Sequence, residues 1–142
     1  MNEARYIIVV GCGRLGSLLA NRLSGLGHSV VMIDRNETAF GKLTAEFSGF
    51  QIVGDAVELE VMRQAKVERA DYFLATTQDD NVNLMVAQVA KTIFEVPAVI
   101  ARVFDPSREA IYAEFGVTTI SPTKLAADRF LQACQIETEL NL

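Results

Sequence analysis

Blocks of apolar residues recur along this chain, separated by stretches in which apolar and polar positions are mixed. Short runs rich in β-branched residues occur at 6–10 (YIIVV), 29–33 (SVVMI), 50–53 (FQIV), 71–75 (DYFLA), 98–103 (AVIARV) and 117–120 (VTTI). Between them apolar residues return at helical spacing. The segment 14–26 carries Leu15, Leu18, Leu19 and Leu23, and similar segments follow at 37–47, 57–66, 81–94, 107–115 and 122–135. Runs that are continuously apolar mark strands covered on both faces, as parallel strands are when helices lie above and below. Six such strands alternating with helices predict an α/β fold. The expected form is a Rossmann-like, doubly wound, six-stranded parallel sheet of strand order 3-2-1-4-5-6, with right-handed crossovers.

Punctuation supports these boundaries. Gly27 and Gly116 stand where helices should end in a left-handed residue. Asn36, Asp105-Pro106 and Ser121-Pro122 stand where helices should start, with a capping side chain or a proline that needs no N–H. Neither a linker nor an internal repeat interrupts the pattern, so 1–142 reads as a single domain. The last helix and its tail occupy 122–142.

Composition narrows the function. Half of the 142 residues are apolar, and the formal charge is −5. A domain of this size can bury about 68% of its unfolded surface without metal or disulfide staples. The acidic balance argues against a nucleic-acid partner, which requires a basic face. No apolar run reaches the roughly 20 residues of a membrane span, and MNEARYIIVV is not a signal peptide. Cys12 and Cys134 have no metal-ligand or CxxC spacing, and His28 is the only histidine, so no metal site is expected and the location reads as cytoplasmic.

The chemistry concentrates in GCGRLG, residues 11–16, directly behind the first apolar run. Gly11, Gly13 and Gly16 fit the G-x-G-x-x-G turn between strand and helix. Gly11 allows a sharp turn, Gly13 lets phosphate approach the backbone, and Gly16 lets helix and strand pack closely. The helix N-terminus adds unpaired N–H groups and partial positive charge, with Cys12, Arg14 and Leu15 completing the loop. Asp34 lies 23 residues past Gly11, where an acid is expected to accept from ribose hydroxyls. Asp34 disfavours a 2′-phosphate, whereas its neighbour Arg35 could receive one.

Other candidates stand beyond the carboxyl ends of the strands, where open parallel sheets bind ligands. Gly54, Asp55 and Ala56 follow the third strand. Asp55 reads either as an acceptor for an adenine amine or as a helix cap. Thr76 and Thr77 follow the fourth strand and read as phosphate or ribose contacts, or as local backbone partners. Asp79 and Asp80 read as caps for the helix that begins near Asn81. Arg102 ends the fifth strand and needs a partner, such as a phosphate or a carboxylate. His28 reads as a strand-edge residue, and Tyr6, Tyr72 and Tyr112 form no Tyr-x-x-x-Lys pair.

GCGRLG, Asp34, GDA at 54–56, TTQDDNVN at 76–83, ARV at 101–103 and FGVTTIS at 115–121 together resemble the regulator-of-potassium-conductance (RCK) domain. It is also called the KTN or Trk N-terminal nucleotide-binding domain. The resemblance covers nearly the whole chain. It implies a regulatory subunit, not an enzyme, which binds ATP, ADP or NAD(H), with AMP a further candidate. Such a subunit works beneath a membrane potassium transporter or channel. It also implies assembly with itself, as a dimer and onward to a ring, with the 122–135 helix crossing to a partner through Leu125, Ala126, Phe130, Leu131 and Cys134. Those residues could equally cover the chain's own sheet. Arg14 resembles the residue that meets terminal phosphates, within or across a subunit boundary. No second lobe follows, which implies either a truncated form or a natural single-lobe subunit. Thr123 stands where several relatives carry a cation-binding acid. The alternative reading is a small NAD-dependent oxidoreductase or a fragment of one.

Overall fold

A computed structural model describes residues 3–136. The strands are β1 (Tyr6–Val10), β2 (Ser29–Asp34), β3 (Phe50–Val53), β4 (Tyr72–Ala75), β5 (Ala98–Arg102) and β6 (Thr118–Ile120). The helices are α1 (Arg14–Gly25), α2 (Leu59–Gln64), α3 (Asp80–Thr92), α4 (Glu109–Glu114) and α5 (Pro122–Ala133). All strand pairs are parallel, in the order β3-β2-β1-β4-β5-β6, as the sequence pattern predicts. The tail at 137–142 lies outside the described residues.

The centre of the sheet is covered on both faces. Along β1, Ile8 and Val10 join Phe73, Val86, Val99 and Tyr112 under α2, α3 and α4, while Ile7 and Val9 join Val30, Met32 and Ala20 under α1. The expectation of two-sided burial holds for β1 and β2 and fails at the edges. β3 and β6 have no buried residue, because each has a neighbour on one side only. The face that α1 covers over β1 and β2 continues over β4–β6 through Tyr72, Leu74, Ile100 and Ile120. Among the described residues no helix lies over it there; Ile120 remains 44% exposed and Tyr72 37% exposed.

The segment 37–47 differs most from the helix expected there. It forms a 3-10 turn at Glu37–Lys42 and then runs irregularly to β3. Its periodic Ala39, Phe40, Leu43 and Phe47 do pack against the α1 layer. Its backbone, however, is held by a side chain of α1. Asn21 Nδ2 donates to the carbonyl of Lys42, and Asn21 Oδ1 accepts from Thr44 N–H. A helix continuing through Thr44 would need those groups for itself. The other boundary signals act as read. Asn36 Oδ1 accepts from Thr38 N–H, Asp105 Oδ1 from Ser107 N–H, and Ser121 Oγ from Lys124 N–H. Gly27 and Gly116 are left-handed, at φ +97° and +73°.

Candidate functional site

Register brings the ends of three strands level. Val10 pairs with Ile33 on one side and with Ala75 on the other, so Gly11, Asp34 and Thr76 emerge side by side at the sheet's carboxyl edge. Gly11 N–H donates to the Ile33 carbonyl, Thr76 N–H to that of Val10, and Gly54 N–H to that of Asp34. β1 is also where strand order reverses, the position at which open sheets leave a crevice. A cleft of about 550 Å³ opens there.

The glycine loop has the form that phosphate binding requires. Gly11 turns at φ +102°, a left-handed conformation, with Thr77 N only 2.9 Å from where a Cβ would sit. Gly16 packs so closely that a Cβ would lie 1.8 Å from the Gly11 carbonyl oxygen. The space beside Gly13 is open, with nothing within 4 Å. α1 starts behind this loop, and the first N–H groups of a helix have no partner inside it. No side chain caps them, and no acid stands in the first turn. That end of α1 is therefore free to take an anion.

Asp34 is tied into the loop. Its Oδ2 accepts from Cys12 N–H at 2.7 Å, and its Oδ1 accepts from Asn36 N–H at 2.8 Å. Each carboxylate oxygen keeps a further lone pair for a ligand hydroxyl. The Cys12 thiol is buried. Burial first, and Asp34 second, push its pKa upward, away from a reactive thiolate.

The expected residues divide into two groups. Gly11, Cys12, Gly13, Asp34, Arg35, Gly54, Asp55, Ala56, Thr76 and Thr77 line the cleft. Arg14, Leu15, Gly16, Asn81 and Arg102 do not line it. Gly16 acts behind the wall, through its packing. Arg14 is exposed at the start of α1. Asn81 Oδ1 accepts from Arg108 Nη1 at 2.6 Å. Asp79, not Asp80, caps α3, accepting from Asn81 and Val82 N–H. Asp55 makes a local turn with Val57 N–H and faces Arg35 Nη1 across 3.9 Å.

Arg102 already has backbone partners within the fold. Its Nη2 donates to the carbonyls of Thr76, at 2.6 Å, and Thr77, at 3.0 Å, and its guanidinium lies 4.7 Å above the centre of the Phe104 ring. Two backbone carbonyls just past the end of β4 occupy its Nη2. Burial lowers the pKa of Arg102, and nearby Asp80 raises it in part. The hydroxyls of Thr76 and Thr77 are likewise committed: Thr76 Oγ1 donates to the carbonyls of Val10 and Gly11, and Thr77 Oγ1 donates to Asn83 Oδ1.

Sequence reading missed three groups. Lys42, Asn36 and Ala39 line the cleft from the β2–β3 connection, where Asn36 was read only as a cap and no motif pointed to a ligand. Gln78 closes the fourth-strand side beside Asp79. Asn83 is completely buried and fully bonded. Its Oδ1 accepts from the N–H and hydroxyl of Thr77, and its Nδ2 donates to the carbonyls of Thr77 and Arg102. An asparagine facing inward at helical spacing between Val82, Val86 and Ala87 was the available signal.

Residues 7–122 match the family model of the TrkA-N domain. A Trk system potassium uptake protein TrkA from Streptomyces coelicolor is 38% identical over 127 residues, which are 89% of this chain and 57% of the relative. The chain thus spans a little over half the length of that relative. The TrkA-N domain of the inner membrane protein ybaL from Escherichia coli superposes with a TM-score of 0.82 at 23% identity, covering 94% of this chain and 98% of the other. The Kef CTD of Shewanella denitrificans, in its AMP-bound form, gives 0.76 at 19% identity over 92% and 80%. The GsuK channel gives 0.73 at 17% identity when bound to ADP, over 87% of this chain and 33% of that one. Bound to NAD it gives 0.74 at 18% identity, over 92% and 23%.

Proposed function

This chain belongs to the TrkA-N family, and from that premise we propose that it is an adenine-nucleotide-sensing regulatory domain of a potassium-uptake system or potassium channel. It works in the cytoplasm against a membrane partner, and it is a regulator and not an enzyme. The observation that carries the reading is the glycine loop. Its carboxylate-pinned backbone, the open space beside Gly13 and the uncapped end of α1 form a phosphate cradle beside an acid placed for ribose. In this assignment the loop N–H groups take the phosphates, Asp34 the ribose hydroxyls, and Gly54, Asp55 and Ala56 the adenine edge. Arg35 and Lys42 offset phosphate charge at the rim. Arg14, exposed beside the loop, meets a terminal phosphate of its own ligand or of a second copy's. The oxidoreductase alternative lacks support in the cleft, whose lining includes no histidine and no tyrosine.

Sensing needs a ligand that binds one conformation better than another; couplings of this kind are typically about 1–3 kcal/mol. The direct test is thermal unfolding with ATP, ADP, AMP, NAD, NADH and NADPH. A ligand at 100 times its Kd should add about 2.7 kcal/mol, several degrees in a domain of this size. No shift with any of them, or turnover of NADH with carbonyl substrates, would overturn the reading.

The self-association expected of α5 is part of the same proposal. None of its residues is buried, with Phe130 75% exposed and Leu125 56% exposed. It therefore does not cover its own sheet, and the face over β4–β6 stands open. We assign the two surfaces to each other across a two-fold dimer. Phe130→Asp should weaken dimerisation by on the order of 100- to 1,000-fold, because a symmetric interface counts each substitution twice. Sedimentation equilibrium reads this directly; an unchanged dimer would remove α5 from the interface.

A further inference from the structure

We propose that Asn21, a buried asparagine on α1, is a positioning residue for the nucleotide site: its amide clamps the β2–β3 connection to α1 and so sets Lys42 at the rim beside the glycine loop. The proposal rests on the nucleotide-binding reading and adds to it a residue that touches no ligand. Asn21 does not line the cleft.

The connection needs such a clamp. Its regular part is a 3-10 turn at Glu37–Lys42, and turns of that kind have poor internal hydrogen bonding. Phe40 anchors it from below, packed with Ala20 and Cys12. An apolar contact is non-directional, so Phe40 by itself does not fix where Lys42 lies two residues later. Asn21 does. Its Nδ2 donates to the Lys42 carbonyl at 3.3 Å and its Oδ1 accepts from Thr44 N–H at 3.0 Å, gripping the backbone on both sides of Leu43. A side-chain amide suits this task because it carries donors and an acceptor together, whereas a carboxylate has no donor. Further along α1, Ser24 Oγ accepts from Ser48 N–H at 2.8 Å. Among the described residues, Asn21 and Ser24 make every side-chain hydrogen bond that reaches the backbone of 42–48 from outside the connection.

The clamp holds a charge in place. Lys42 lines the cleft with Gly11, Cys12 and Gly13. Its ammonium is close enough to act on the Cys12 thiol, where it opposes the upward shift that burial and Asp34 impose. Lys42 is in no salt bridge among the described residues. The helix that carries Asn21 is also the one whose first N–H groups face the phosphates. Asn21 therefore ties the lysine backbone and the phosphate cradle to one rigid element. A cation set in place before binding gives more affinity for an anion than one the ligand must order.

Titration calorimetry of the 142-residue chain with ADP, at low and at high salt, tests the proposal. Asn21→Ala should weaken ADP binding by about fivefold to tenfold at low salt. The deficit should shrink at high salt, because the weakened contact is between charges. Lys42→Gln should show a deficit with the same salt dependence. The two substitutions together should lose no more than Lys42→Gln alone, since Asn21 acts through Lys42. A purely structural asparagine would give a deficit that ignores salt and adds to that of Lys42→Gln, and either result would overturn the proposal. So would unchanged ADP affinity in either single variant. If Asn21→Ala fails to fold, Asn21→Ser carries the same cycle, because it keeps a hydroxyl on α1 but is too short to grip both backbone groups. In all these outcomes the sensor reading stands; an unaltered chain that binds no adenine nucleotide would overturn both.

Discussion

Gly16→Ala should cost the protein both stability and its nucleotide. A Cβ at this position would lie 1.8 Å from the Gly11 carbonyl oxygen and 2.7 Å from Thr76 Oγ1. The first of these atoms is backbone, and the second is held by the carbonyls of Val10 and Gly11. Neither can give way, so α1 must move off the sheet by more than an ångström. Overpacking of this kind costs typically 1–3 kcal/mol, and immovable backbone puts it near the top, at about 3. The gain from replacing glycine within a helix offsets about 1 kcal/mol. The net is about 2 kcal/mol, or roughly 8 °C of melting temperature. Binding should fall further, by about 100-fold, because the displaced helix carries the phosphate-facing N–H groups. Gly13→Ala separates the two effects. Its φ is −86° and nothing lies within 4 Å of the added methyl, so the fold should be unaffected while the methyl meets the phosphate. Equal stability of the Gly16→Ala protein and the unaltered chain would mean that the close helix–strand contact is not required.

Asp34→Asn should lower ADP affinity by about 100-fold, since hydrogen bonds to a charged group contribute about 1.5–3 kcal/mol and two are altered at once. The amide keeps one acceptor oxygen where the carboxylate has two. Either Cys12 N–H or Asn36 N–H then loses its partner, and one ribose hydroxyl does as well. The loop loosens together with the loss of the ligand contact. Removing the charge should also relax discrimination against a 2′-phosphate, because Arg35 remains beside the site. Calorimetry with ADP and with its 2′-phosphorylated form reads both effects. Unchanged ADP affinity would place the ribose elsewhere and sink the assignment of Asp34.

The glycine loop and Asp34 were legible because their chemistry is local. A turn at positive φ, a close helix–strand contact and an acid at a strand end each follow from residue type and spacing. Asn36 was read only as a cap, Lys42 lay in a segment expected to be helical, and Gln78 followed Thr77 with no role of its own, so none was marked as lining the cleft. The segment 37–47 was misread for a related reason. Its apolar spacing is helical, but the partner that decides its backbone is Asn21, on another element. Arg102 was read as needing a partner, and the sequence could not show that the fold supplies backbone ones. The carbonyls that occupy its Nη2 lie just past the end of β4, which is distant in sequence and adjacent only after the sheet forms.

Continuous apolar runs, glycines and caps determined by themselves that this chain forms six parallel strands with a tight glycine turn after the first. Those signals act within a few residues, through dihedral preference and burial. Only the tertiary structure decided which strands lie at the edges, that α5 has no buried residue against its own sheet, and that Arg102 bonds the backbone at the end of β4. Each of these depends on groups from separate elements meeting across the sheet. The free energy of such a meeting comes from desolvation and hydrogen bonding between distant residues, which no local pattern encodes.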